Sequence, residues 1–256
     1  MRFEVLKRDA EIAMLKGLLA GGDAAALRAT YEEQCATLDE EFEFVGECNV
    51  GGEFMAPEKV QRAEWRARVR LDEDVFARAT PGDSTESRSS AGRYLRYVLE
   101  ELGVADAATI EQVAEWRRTY NLPVGVWNTP DPQAHEALAL VRRAGLRAAV
   151  ISNSNGSVRS ILDSLGLTTH LDFVLDSAEV GVEKPDPRIF ELALTEARVV
   201  PGEAVYIGDL YSIDVRGARG SGMRAVLLDP GGDWGARDCP TAPDLMGAVS
   251  LVLGWR

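Results

Sequence analysis

Two carboxylates five residues apart, Asp209 and Asp214, carry the densest chemistry in this chain of 256 residues. Asp209 follows the apolar run Ala204-Val205-Tyr206-Ile207 and then Gly208, so it stands where a buried strand gives out. Asp214 opens a helical stretch through Met223, and Val226 to Leu228 reads as another buried strand. A strand, acidic loop, helix and strand in that order set polar groups in the crevice at the carboxyl ends of the strands. Carboxylates so placed repel one another unless a cation offsets them, and oxygen ligands without a nearby His or Cys suit Mg²⁺. The plainer alternative is a helix start whose dipole stabilises Asp214.

Two further strand ends carry groups of the same kind. Val150-Ile151 runs into Ser152-Asn153-Ser154-Asn155-Gly156, and hydroxyl, amides and backbone N–H groups at a helix start can cradle a phosphoryl group. Against that, Ser, Asn and Gly are also common as plain caps and turn formers. In Val182-Glu183-Lys184-Pro185-Asp186-Pro187, Pro185 keeps Lys184 extended just ahead of a helix. A Lys fixed at the rim of an acidic cleft neutralises a phosphate or orients a carboxylate, whereas a single Lys elsewhere is more often a solvated surface group.

The elements that must position these groups follow from the pattern around them. Asp131 to Ala144 reads as a helix ended by Gly145, Arg147 to Ile151 as a strand, and Ser157 to Leu165 as a helix ended by Gly166. Phe173 to Leu175 reads as a strand and Pro187 to Ala197 as a helix. Strands and helices thus alternate from 131 to 229, the signature of a parallel sheet with right-handed crossovers. This predicts an α/β core over residues 123–256. Residues 10–122 read as a helical cap, with helices over Ala10 to Ala20, Ala24 to Leu38, Pro57 to Arg78, Tyr94 to Leu102 and Thr109 to Tyr120. No strand is predicted there; Glu40 to Glu53 reads as irregular and Pro81 to Gly92 as a polar loop or hinge. Residues 1–9, where Met1 to Leu6 alternates weakly, hold a candidate first core strand.

Composition narrows the partners. A net charge of -13 with no basic block argues against nucleic acid or an anionic membrane, but not against a small phosphorylated molecule. The three cysteines, Cys35, Cys48 and Cys239, have neither metal-like spacing nor an even count, which suits a reducing cytoplasm. Met1 to Ala20 lacks the apolar core of a signal peptide, and no apolar run is long enough to span a bilayer. His135 and His170 stand isolated in the sequence and read as structural or surface residues. Trp65, Trp116 and Trp127 read as packing groups or as the lining of a pocket.

Taken in order, Ser152-Asn153, Lys184-Pro185, and Gly208-Asp209 with Asp214 resemble three of the four motifs of the haloacid dehalogenase superfamily, over about residues 125–230. The run Gly181 to Phe190 is particularly close. The resemblance implies a Rossmann-like parallel sheet with helices on both faces and a mainly α-helical cap inserted after the first motif. It implies phosphoryl binding at Ser152 and Asn153, a Lys184 that steadies nucleophile and phosphate, and Mg²⁺ at Asp209 with Asp214 in its first or second shell. Most relatives with a cap in this place act on small phosphorylated molecules. The family's first motif, an apolar strand ending in Asp-x-Asp-Gly-Thr with the nucleophile first, has no match. Asp72-Glu73-Asp74 has the spacing but follows a helix and lacks the glycine turn. Asp9 is the best-placed nucleophile, with Glu11 as the second carboxylate, although Lys7 and Arg8 would then sit at the buried end of a central strand. Glu33, in a helical segment, ranks below it. Two functions follow as expectations: a Mg²⁺-dependent phosphatase working through an aspartyl-phosphate, or a protein of the same fold that binds phosphate, Mg²⁺ or a partner without turnover. A dehalogenase, which uses the same nucleophile without a metal, fits the retained Asp209 and Asp214 less well.

Overall fold

Alternation within single strands decides how the core is layered. The computed structural model describes residues 48–50, 53–78, 84–85, 87–120 and 130–255. Strands β1 (Cys48–Val50) and β2 (Glu53–Met55) pair antiparallel, Val50 opposite Glu53. The sequence predicts no strand here. Gly51-Gly52 between two short runs is nonetheless the signature of a two-residue hairpin connection. Helix α1 (Pro57–Asp74) begins on its proline, where a missing N–H costs nothing, and a 3₁₀ turn follows at Phe76–Arg78. Helix α2 (Arg88–Glu101) starts inside the stretch expected to be a loop. Ser87 makes the start, its hydroxyl accepting from the Ser90 N–H at 3.1 Å. Helix α3 (Ala107–Tyr120) is started by Asp106, which accepts from the Thr109 N–H at 2.7 Å.

From residue 130 the predicted alternation is present. Helix α4 (Ala134–Arg143) precedes β3 (Ala149–Ser152), which is followed by α5 (Val158–Ser164) and β4 (Phe173–Asp176). A one-turn helix α6 (Ser177–Val180) and α7 (Pro187–Ala197) lead to β5 (Val205–Gly208). A π-helical turn at Tyr211–Val215 runs into α8 (Arg216–Gly220), then β6 (Arg224–Leu228). Strand β7 (Thr241–Ala242) and α9 (Leu245–Leu253), neither foreseen in the sequence, complete the order.

All the pairings in this part are parallel. Strand β3 pairs with β4, Ser152 opposite Asp176, and β5 pairs with β6, which pairs in turn with β7. Among the described residues these are two separate sheets, bridged by the Tyr206 hydroxyl, which donates to the Ile151 carbonyl at 3.2 Å. Helices cover both faces. On β6, Ala225 and Leu227 point into a cluster with Ile189, Phe190 and Leu194 of α7, while Val226 between them joins Ala242 of β7 and Ala248 of α9. The period of two puts each successive side chain in the opposite core. Ile189, Phe190, Val226 and Leu227 are fully buried, each contributing about 1.5–3 kcal/mol of transfer free energy.

Contacts divide the chain into compact units at 1–62 and 63–256. In a third cluster, Ala67 and Leu71 of α1 and Tyr97 of α2 pack with Phe76 and with Ile213 of the π turn. Helices α1 and α2, which fall within the expected cap, thus share this cluster with a strand-end loop. Among the described residues no helix is long and apolar enough to cross a membrane.

Candidate active site

Gly208 ends β5 because nothing larger fits. A Cβ there would lie 2.4 Å from the Cβ of Asp214. The chain folds back so closely that Asp214 can serve the loop before it. Its Oδ2 accepts from the N–H groups of Asp209 and Leu210, both at 3.0 Å, donors that a loop entering a helix otherwise leaves unmet. Its Oδ1 accepts from Lys184 Nζ at 2.8 Å, and the residue is 2% exposed.

Lys184 is also buried. Its ammonium also donates to the Tyr206 hydroxyl at 2.9 Å. Burial alone would lower its pKa, but the adjoining Asp214 and Tyr206 more than offset this and hold it above the ordinary lysine value. Burial, with Asp214 alongside, keeps the Tyr206 phenol protonated beyond its usual range despite the ammonium. A fixed positive charge thus stands at the carboxyl end of the sheet at neutral pH. Tyr206 carries no signal of this in the sequence, where it is one residue of an apolar strand.

The Ser152 loop is tied to Lys184 by backbone mimicry. Asn153 Oδ1 accepts from the Lys184 N–H at 2.8 Å, and its Nδ2 donates to the Lys184 carbonyl and to Thr85 Oγ1, each at 2.9 Å. Both amide protons are taken, so the phosphate-binding role expected of the Asn153 side chain gives way to a clasp between loops. Part of the expected backbone cradle is engaged in the same way. Asp176, fully buried at the end of β4, accepts from Gly156 N–H at 3.2 Å and Ala178 N–H at 3.0 Å, and the Ser177 hydroxyl accepts from Ser154 N–H at 3.0 Å. Ser152 is different. Its hydroxyl makes a long 3.4 Å contact with the Asn153 carbonyl, weak enough for it to turn toward a phosphoryl oxygen. Glu183 fastens a third segment, accepting from Ser84 Oγ at 2.9 Å and Thr85 N–H at 3.2 Å.

Asp209 is the outward-facing member of the acid pair, with its side chain 40% exposed. Its Oδ2 is paired with Nη1 of Arg68, whose Nη2 holds Glu64, and the Tyr94 hydroxyl donates to Glu64 at 3.0 Å. Four residues along the same helix, Asp72 accepts from both the N–H and the hydroxyl of Ser212, at 2.9 and 2.8 Å. Burial pushes the Asp72 carboxyl up to about 6, against the pull of the Ser212 hydrogen bonds. Trp65, Arg68, Asp209, Asp229, Asp233 and Trp234 line a shallow, open recess.

The sequence assigns Asp209 and Asp214 one task; the structure gives them two. Magnesium takes about six oxygens in near-octahedral array. Asp214 is engaged by three donors and buried, Asp209 carries an arginine, and no group of three or more His, Cys, Asp or Glu among the described residues is placed to hold a metal. As arranged, these residues do not fit the ion. Asp9, Glu33 and Trp127 lie outside the described residues. His135 and His170 are not isolated: their rings meet with Nδ1 of His135 3.3 Å from Nε2 of His170 on the exposed side of α4.

The serine and the acid pair stand at parallel strand ends and the buried lysine in the loop before α7, and residues 56–222 match the family described as haloacid dehalogenase-like hydrolase. The chain belongs to that family of hydrolases. Among curated proteins it is similar to human haloacid dehalogenase-like hydrolase domain-containing protein 3, with 42% identity over 127 residues, 49% of this chain and 50% of the relative. It is 40% identical over 157 residues to a phosphoserine phosphatase of Thermus thermophilus, 60% of this chain and 59% of that one. The chain thus spans about half the length of the curated relatives it matches. The magnesium-bound structure of the hydrolase YfnB from Bacillus subtilis covers 74% of this chain and 82% of its own, with a TM-score of 0.51 at 16% identity, a likeness of fold.

Proposed function

We propose that this hydrolase cleaves a phosphate monoester of a small molecule through an aspartyl-phosphate. The observation that supports this most is Lys184, held charged by Asp214 and Tyr206 and tied through Asn153 to the Ser152 loop. A fixed cation and a weakly held hydroxyl on loops tied together suit the charge that builds on a transferring phosphoryl group. A carboxylate oxygen, for which Asp9 is the sequence candidate, attacks phosphorus in line. The bond to the ester oxygen breaks, and the departing alkoxide takes a proton. Water then cleaves the acyl phosphate, releasing inorganic phosphate and restoring the carboxylate. No step is assigned to Mg²⁺, which the described residues do not accommodate as they stand. The reading places the enzyme in the cytoplasm, which three cysteines without a pairing pattern support.

A second reading, phosphate binding without turnover, is favoured by one observation: the sequence has no Asp-x-Asp-Gly-Thr. Assay of phosphate release from a panel of small monoesters, phosphoserine and sugar phosphates among them, separates the two. Turnover is expected, and Ser152→Ala should lower it by on the order of tenfold while leaving stability nearly unchanged. A panel with no release, from a protein that still binds inorganic phosphate by calorimetry, would end the first reading in favour of the second.

A further inference from the structure

We propose that Arg68 is the resident counter-ion of Asp209, and that a divalent cation gains this carboxylate only by displacing it. The proposal rests on the reading of Asp209 as the metal position, and its test reads binding rather than turnover, so an inactive protein still answers it.

The guanidinium is gripped from two sides. One terminal nitrogen pairs with Asp209 and the other with Glu64, one helical turn earlier on α1, and Glu64 is itself held by the Tyr94 hydroxyl. A planar fork bound at both tines is set in place before any ligand arrives. It cannot leave by losing its proton. A guanidinium stays charged in proteins whatever its partners. Displacement is therefore the remaining way to free the oxygen.

Asp214 cannot stand in for Asp209. Its oxygens hold Lys184 and two loop amides, so each acid of the pair has a protein cation of its own. A divalent ion added beside Arg68 would put two cations on one exposed carboxylate, and their repulsion couples binding of the ion to movement of the arginine. Asp229 and Asp233, the first holding the N–H groups of Asp233 and Trp234 and the second paired with Arg66, line the same recess.

Binding of Mn²⁺ to the full chain, read from the paramagnetic resonance signal of the free ion, tests this. Arg68→Gln should bind Mn²⁺ roughly tenfold or more tightly than the parent, the scale of one charge-assisted hydrogen bond removed as competitor. Adding Asp209→Asn to that variant should abolish the gain. Equal affinities in parent and Arg68→Gln, or binding in neither, overturns the proposal. If Arg68→Gln fails to fold by circular dichroism, phenylglyoxal labelling of the parent, mapped by mass spectrometry, decides instead. Mn²⁺ should speed labelling at Arg68, and a rate unchanged at the highest Mn²⁺ concentration overturns the proposal.

Discussion

Asp214 divides its two oxygens between a buried ammonium and the loop that carries Asp209, so one side chain fixes both the charge and the shape of the site. Removing a single member of such a pair leaves the other buried and unmatched, which costs more than the pair itself contributes. Lys184→Met should therefore destabilise the protein by about 3–5 kcal/mol in denaturant titration. Changing both residues, Lys184→Met with Asp214→Asn, should recover part of that, because the remaining amide no longer carries a charge. A loss below about 1 kcal/mol for the single variant would mean that Asp214 is solvated after all. Tyr206 belongs to this same unit. As a donor to a carbonyl of the neighbouring sheet it transmits the position of Lys184 across the strand ends.

At the scale of elements, α1 serves the loop after β5 twice, placing Arg68 on Asp209 and Asp72 on Ser212. Positions four apart lie on one helix face, so a single docking brings both. Asp72 acts as a cap supplied by another helix, meeting the amide and hydroxyl of Ser212 at the start of the π turn. With its folded pKa raised to about 6 from 3.8, the native state binds more protons than the unfolded chain between those values. The contribution of Asp72 to stability therefore falls as pH rises through that window, by about 3 kcal/mol, and is level on either side. Against Asp72→Asn, the parent should be relatively more stable at pH 4 than at pH 7. Thermal melts of the two proteins across this range check it, and a difference that grows with pH would sink the idea. Neither residue of α1 is legible in the sequence, because their partners lie 141 and 140 residues away and a charged helix face looks the same with or without them. Ser152, Lys184 and Asp209 are legible because each is local: Ser152 and Asp209 stand at the ends of apolar runs, and Lys184 precedes a proline-started helix. What such a reading does not reveal is which polar atoms are already satisfied. Asn153 and the loop amides look like a phosphate cradle until Lys184 and Asp176 are seen to fill them.

For the molecule as a whole, the alternation of strand and helix after residue 130 was enough to predict a parallel α/β core, since every such strand has to be buried by helices on both sides. Strand β7, two residues long, and the mostly apolar α9 have too little period to be read. The nucleophile is a different case, as Asp9 lies outside the described residues. A last consequence follows from the pairing of the strands. Strand β6 has neighbours on both sides and three consecutive fully packed residues, whereas β3 and β5 are each hydrogen-bonded to a described strand on one side. Local opening is cheapest where backbone bonds and apolar contacts are fewest. Amide exchange should then be slowest in β6 and faster in β3 and β5, a ranking that uniform protection across the three strands would contradict. Ser152 closes β3, and Asp209 follows β5. On mild denaturation the proposed phosphate site should come apart while the β6 core is still intact, so that the site is lost before the fold.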